Sequence, residues 1–349
     1  MKENILGGNA LKNVETSRLS RDEYFALEAK VVGQLRKDFP GHRVEAVRAY
    51  REKDSFGDMD VLFESTGLKQ NMAEYVKNVF GSKQVFKNGD VTSFECEGFQ
   101  VDLIFTPTEE YETSVNYFAW NDLGNLMGRV AHKMGFKYGH DGLKMVFRDG
   151  DYQFAEVVVT RDVKQMTKFL GYDYERLLKG FDTLQEMFEF AASTPFFNKE
   201  IYSLENRNHT SRTRDRKRKS YNSFLQWIET AEGLPAYPWA SMKEQGGPKY
   251  KEEFVKRARE FFAEFGSVYD KTMADFETWK QVKATFNGNL VREWTGLENQ
   301  ELGNFMKHLR ETQMLVMGKE AWDSMVLAAG QEGMKKFVTP LFEAFQKEQ

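Results

Sequence analysis

Two aspartates one residue apart, Asp58 and Asp60 in Gly57-Asp58-Met59-Asp60, lead into the apolar run Val61-Leu62-Phe63. A third, Asp102, stands in Phe99-Gln100-Val101-Asp102-Leu103-Ile104-Phe105. In an extended strand residues i and i+2 share a face, so Asp58 and Asp60 project together while Met59 turns to the other side. Charges placed in otherwise apolar strands need a partner that offsets their desolvation. Mg²⁺ is such a partner, because hard cations prefer carboxylate and phosphate oxygens. Two ions roughly 4 Å apart can activate an attacking hydroxyl while stabilising a departing pyrophosphate. Three acids on adjacent strands are therefore expected to hold two Mg²⁺ ions, with Mn²⁺ as a substitute, and to serve nucleotidyl transfer. Glu95 and Glu97 alternate nearby and rank second as the third acid.

The elements that must position these acids are legible in the spacing of the side chains. Ser20-Arg21-Asp22-Glu23 has capping-box spacing, and Phe25, Leu27, Val31, Val32 and Leu35 follow at helical intervals toward Asp38-Phe39-Pro40. From His42 the pattern becomes extended, through Val44, Ala46 and Val47 to a strand over Asp58 to Phe63. Residues 67–81 carry helix signals, with Met72, Tyr75, Val76 and Val79 on one face. Asn88-Gly89 predicts a tight turn between two short strands, and Glu97-Gly98 leads into the strand of Asp102. After Pro107 come two helical patterns, 109–120 and 121–135, then a pair of extended runs around His140-Asp141-Gly142, with strands over 143–147 and 154–160.

Beyond Arg161 only helical periodicity remains, carried by aromatic stripes such as Phe254, Phe261, Phe262 and Phe265. The Gly- and Pro-containing stretch 235–248 is the expected internal loop. The fold class is therefore α+β. A small mixed-sheet domain over 1–160 carries the acids, and an all-helical domain over 161–349 follows.

The chain has 349 residues, long enough for two cores, and a formal charge of −4, so any affinity for nucleic acid must rest on a local basic surface. One exists at 207–219, where Arg207, Arg212, Arg214, Arg216, Lys217, Arg218 and Lys219 are set against the single acid Asp215. Such a segment suits a polyanion, since each phosphate it neutralises releases counterions. The single cysteine, Cys96, excludes an intrachain disulfide and argues against a thiolate metal site; a reducing cytoplasmic setting is expected. No apolar run is long enough to cross a bilayer, and no signal-peptide core is evident, so a soluble, unprocessed protein is expected.

With these pieces in order, residues 40–160 resemble the nucleotidyltransferase superfamily of the polymerase β type, closest to the catalytic core of family X DNA polymerases. The resemblance rests on Arg51 with Gly57-Asp58-Met59-Asp60-Val61-Leu62, on Val101-Asp102-Leu103-Ile104, on Tyr117-Phe118-Ala119-Trp120, and on Asn125 and Arg129 followed by Lys133-Met134-Gly135-Phe136. It implies a palm-like domain in which Asp58, Asp60 and Asp102 bind the metals and Asp102 accepts the proton of the attacking hydroxyl. It further implies that Arg51 grips the triphosphate and that Tyr117 and Phe118 flank the sugar. Asp122, Asn125 and Arg129, on one helix face, would stand near the base.

Gly57 and Ser55 belong to the same phosphate-side segment. Two departures are visible: Val47-Arg48 stand where the family has Gly-Ser, leaving Arg48 to supply charge, and Trp120 replaces a glycine. The implied substrate is an NTP or dNTP, and the implied acceptor a nucleic-acid 3′-hydroxyl held by the basic stretch. NMP transfer to a protein or small-molecule hydroxyl, and an inactive nucleic-acid-binding relative, are the alternatives.

Overall fold

Ser20 starts the first helix as its spacing predicts: its backbone N–H donates to the Glu23 carboxylate at 2.9 Å. Helix α1 (Arg21–Asp38) then buries Tyr24, Leu27, Val31, Val32 and Leu35. Phe25, expected on that stripe, is exposed. It is Tyr24, seven residues before Val31, that completes the buried row. The computed structural model describes residues 8, 10–206, 209–239 and 249–347. Arg207 and the 240–248 part of the expected loop lie outside the described residues.

The acids lie on a mixed five-stranded sheet built from β2 (Val44–Ala46), β4 (Asp58–Glu64), β5 (Val85–Asn88), β6 (Val91–Cys96) and β7 (Phe99–Thr106), in the order β2-β4-β7-β6-β5. Only β4 and β7 run parallel; the other neighbours are antiparallel. A parallel pair needs a crossover, and α2 (Met72–Phe80) lies within it, capped by the Asn71 side chain and ended by left-handed Gly81. The inner face of the sheet, with Met59, Val61 and Phe63 beside Val101 and Leu103, packs on Val31, Leu35 and Val76 of the two helices. Left-handed Glu97 and Gly98 make the tight turn that sets β6 against β7. A separate short ribbon pairs β1 (Leu19–Ser20) with β3 (Ser55–Phe56), fixing the segment that enters β4.

Helix α3 (Tyr111–Phe118) packs against β4, and α4 (Leu123–Met134) follows it through a four-residue break, 119–122. A second sheet has the order β10-β9-β8, from β8 (Lys137–Gly139), β9 (Gly142–Asp149) and β10 (Tyr152–Thr160). Among the described residues, everything after Thr160 is helix, turn or irregular chain. The helices relevant below are α5 (Val163–Phe169), α6 (Tyr174–Lys179), α7 (Leu184–Ala192), α8 (His209–Asp215), α9 (Lys219–Thr230), α10 (Lys249–Phe261) and α11 (Phe265–Thr285).

The chain divides into two compact units, one of residues 1–146 and 158–265, the other of 147–157 and 266–349. The division therefore does not follow the expected boundary after residue 160. In the second unit the hairpin tip packs on α11, with Tyr152 stacked on Trp279 at 5.0 Å and Phe154 at 5.2 Å from Phe276. The remaining helices of this unit gather around Val291, Phe305, Leu309 and Val338, and around Trp322, Val326 and Met334. No helix among the described residues is long and apolar enough to cross a membrane. Cys96 is buried with a free thiol, and burial pushes that thiol up to about 11.

Candidate active site

In the parallel register of β4 and β7, Asp60 lies opposite Asp102 and Asp58 opposite Gln100. Side chains opposite each other in a sheet share a face, so the three aspartates and Gln100 form a two-by-two array on the face away from α1 and α2. Further along β4 that same face carries Leu62, which is buried; the acids occupy the open end. Asp58 is exposed, and Asp60 and Asp102 are half-buried. Tyr24 and Phe56 stack at 3.8 Å beside them, giving one side of the site an apolar wall.

The electrostatics follow from that placement. Burial, then the Asp58 and Asp102 carboxylates, push Asp60 up from 3.8 to about 7. Burial also raises Asp102, opposed by hydrogen bonds from Ser93 and Gln100. The Gln100 amide N–H donates to the two Asp102 oxygens at 2.9 and 3.2 Å, while its own oxygen accepts from the Ala10 backbone N–H at 3.0 Å. That last bond sets which end of the amide faces Asp102. Neither the Asp58 nor the Asp60 carboxylate has a hydrogen-bonded or ion-paired partner among the described residues. No three His, Cys, Asp or Glu side chains among the described residues are drawn together as a ligand cage. An array of carboxylates of which two make no ion pair or side-chain hydrogen bond, with only the charge of Lys53 acting on them, nonetheless has the donor chemistry for hard divalent cations.

Asp58 and Asp60 form part of the lining of a cleft of about 490 Å³, together with Arg48, Lys53, Lys217, Arg218 and Lys219. Arg48 is set in place by its neighbours: the Val47 N–H donates to the Asp60 carbonyl at 2.8 Å and the Trp120 N–H to the Arg48 carbonyl at 2.7 Å. Lys53 lies 4.5 Å from the centre of the Phe56 ring, and burial lowers its pKa against the opposing pull of Asp58. Phe118 lines the cleft and stacks on His140 at 5.7 Å. The break between α3 and α4 places Trp120 and Asn121 both in the left-handed region, at φ 62° and 58°. Two consecutive non-glycine residues there mark a conformation that surrounding contacts must hold. Asn121 lines the cleft with a buried, unpartnered Oδ1.

The structure brings most, not all, of the expected residues to this cleft. Asp58, Asp60, Arg48, Phe118 and Asp122 are there, and Asp102 adjoins through its register with Asp60. Asp122 is held by an ion pair with Arg218. Asn125, one turn along α4, accepts from Arg214 at 3.3 Å and leaves its Nδ2 buried without a partner. Tyr117 lies behind Phe118 against Tyr138, at 5.4 Å.

Arg51 does not line this cleft: it lines an adjoining hollow of about 260 Å³ that shares Arg48, Tyr24 and Phe56 with it, and its guanidinium is bound to Asp182 and to the Lys179 carbonyl. Ser55 accepts from Arg18 at 3.1 Å, the Gly57 carbonyl accepts from the Gly8 N–H at 2.7 Å, and Arg129 donates to the Ile201 carbonyl at 3.2 Å. Of the basic stretch, Lys217, Arg218 and Lys219 enter the cleft, Arg216 is exposed, and Arg212 and Arg214 lie on α8. The rival acids are occupied: Glu95 accepts from the Gly98 N–H at 2.7 Å, and Glu97 pairs with Lys30.

Lys53, Ser93, Gln100 and Asn121 escaped the sequence reading. Gln100 was within its reach, since it precedes Asp102 by the same two-residue step that joins Asp58 to Asp60. Lys53 had no such signal, because only folding of the β1–β3 ribbon turns the segment toward the acids. No protein-family model matches the chain, and no curated protein matches it at a significant level.

Proposed function

We propose that this protein is a metal-dependent nucleotidyltransferase with a palm-like sheet, moving a nucleoside monophosphate from an NTP or dNTP to a nucleic-acid 3′-hydroxyl. The observation that carries this reading is the parallel register that sets Asp60 opposite Asp102, with Asp58 two residues away on the same face. Bound there, divalent ions would supply the charge that stabilises the attacking and leaving oxygens. Asp58 and Asp60 would hold both ions and Asp102 one of them.

The hydroxyl oxygen forms a new bond to the α-phosphorus, the bond from that phosphorus to the β-phosphate oxygen breaks, and pyrophosphate leaves with the electron pair. The hydroxyl proton passes to Asp102, whose raised proton affinity suits an acceptor. Phe118 and Asn121 would bound the sugar and base, and Gln100 would fix the Asp102 carboxylate until a cation competes for it. Most of the work is positioning and neutralisation of charge, as phosphoryl transfer requires.

A second reading keeps the site and changes the acceptor to a protein or small-molecule hydroxyl. It is favoured by the placement of Lys217, Arg218 and Lys219 beside the acids, which removes them from any separate groove for nucleic acid. Labelled NTPs and dNTPs offered with Mg²⁺ to single-stranded and primed DNA and RNA, and to cell lysate, distinguish the acceptors by which fraction takes the label. Asp58→Ala and Asp102→Ala should each abolish incorporation while leaving the unfolding transition cooperative. Turnover in the purified double variant would overturn the assignment.

A further inference from the structure

The three cleft-lining residues of the basic stretch differ in one respect. Arg218 is spent on Asp122, and its neighbour Arg214 on Asp215 and Asn125. Lys217 and Lys219 both line the cleft, are exposed, and have no ion-pair partner among the described residues. Arg51, the cation that the resemblance nominates for the triphosphate, is bound to Asp182 and the Lys179 carbonyl. The cleft thus has free positive charge on residues that the sequence reading gave to the acceptor.

The turn carrying these lysines is built rather than loose. The Lys217 N–H donates to the Arg214 carbonyl and the Arg218 N–H to that of Asp215. The Asn222 amide, from the first turns of α9, donates to the Arg216 carbonyl at 3.1 Å and the Arg218 carbonyl at 2.8 Å. Helix α9 is in turn fixed to the acid-bearing region through α4: the buried Tyr221 hydroxyl donates to the Tyr202 carbonyl at 2.7 Å, and the Tyr202 hydroxyl to the Leu126 carbonyl at 3.2 Å. The N-terminus of α9 has no side-chain cap, and Ser220 beside it lines the same cleft.

From this geometry we infer that Lys217 and Lys219 are the cations that receive the polyphosphate of the nucleotide, together with Arg48 and Lys53, rather than holding the acceptor strand. The inference rests on the nucleotidyl-transfer reading and deepens it. A nucleoside triphosphate brings about four negative charges, and divalent ions already shared among three carboxylates leave most of them to be met by protein cations. Lysine suits this role as a mobile point charge on the β- and γ-phosphates, without the fixed fork of arginine. The uncapped N–H groups of α9 add positive potential on the same side.

The test measures equilibrium binding of inorganic tripolyphosphate and of an NTP with Ca²⁺, and separately of labelled single-stranded DNA and RNA, to the full chain. The variants are Lys217→Gln/Lys219→Gln, the conservative Lys217→Arg/Lys219→Arg, and Lys77→Gln, which removes an exposed charge on α2. The glutamine pair should weaken tripolyphosphate and NTP binding by about tenfold or more, raise the KM for NTP far more than it lowers kcat, and leave nucleic-acid affinity unchanged. The arginine pair should recover most of the loss, and Lys77→Gln should change neither affinity. Unaltered tripolyphosphate binding with weakened nucleic-acid binding would overturn the lysine assignment alone. A wild-type protein that neither binds tripolyphosphate nor releases pyrophosphate would overturn the nucleotidyl-transfer reading, and this inference with it.

Discussion

Asp60→Asn should make the metal-free protein more stable while removing its activity. Asp60 shares its face with Asp58 and Asp102, its carboxylate makes no hydrogen bond or ion pair among the described residues, and it is raised from 3.8 to about 7 by burial and by those two carboxylates against the pull of Lys53. A displacement of that size corresponds to about 4 kcal/mol in an enclosed site. The cleft is open to water and Asp60 is only half-buried, so about 2 kcal/mol is the expected share.

The sign follows from linkage. Below the unfolded value near 4 both states hold the proton and there is no penalty. As pH rises toward 7 the unfolded chain releases the proton while the folded chain keeps it, so stability falls through that window and levels off above it. Urea unfolding in EDTA should therefore give the variant about 2 kcal/mol over wild type at pH 8 and parity near pH 4. Adding Mg²⁺ at pH 8 should raise the wild-type midpoint by mass action and the variant's much less. A variant less stable than wild type at pH 8, or an advantage that persists unchanged at pH 4, would refute the account of the acid face.

Two further outcomes test how the site is supported. Gly180 has φ 71° and ψ −168°, a region open only to glycine, and a Cβ there would stand 2.3 Å from Trp120 Cη2. Gly180→Ala should cost about 3 kcal/mol from strain and overpacking together, lowering Tm by several degrees; a Tm within one degree of wild type would show that Trp120 is not confined. The Arg43 guanidinium, with help from the Thr108 side chain, holds Glu64 down at about 2, and it also lies 4.2 Å from the centre of the Tyr111 ring. A lowered carboxyl stabilises above its unfolded pKa, and that stability is lost as pH falls through its folded one. Arg43→Met should thus cost about 1 kcal/mol at pH 7, the arginine being partly exposed, with the difference shrinking between pH 4.5 and 2. Equal losses at pH 7 and pH 3 would contradict the pairing.

Local chemistry made much of the sheet domain legible. The reciprocal caps of Ser20 and Glu23 and the alternation about Asp58 and Asp102 each depend on residues within a few positions of one another, and the structure has both; the turn expected at Asn88-Gly89 is present one residue on, at Gly89 and Asp90, with Asn88 paired to Val91. What alternation could not supply was register: only the β4–β7 ladder places Asp60 opposite Asp102. Arg51 and Arg218 were harder still, because their partners Asp182 and Asp122 are 131 and 96 residues away and could be named only once the chain had folded. The same holds for the hairpin tip at 147–157. Its aromatics alternate as a strand's should, but the partners that bring it into the second unit, Phe276 and Trp279, lie on α11.

A turn through two successive left-handed residues is ordinarily a place for glycine. Here Trp120 and Asn121 occupy it, and a glycine stands across the contact at position 180, where the indole needs the space. The requirement for a small residue has thus changed sides of the contact. The indole of Trp120 forbids any side chain at position 180, and the backbone of Gly180, at φ 71° and ψ −168°, forbids one independently, so removing the tryptophan alone would not free that position.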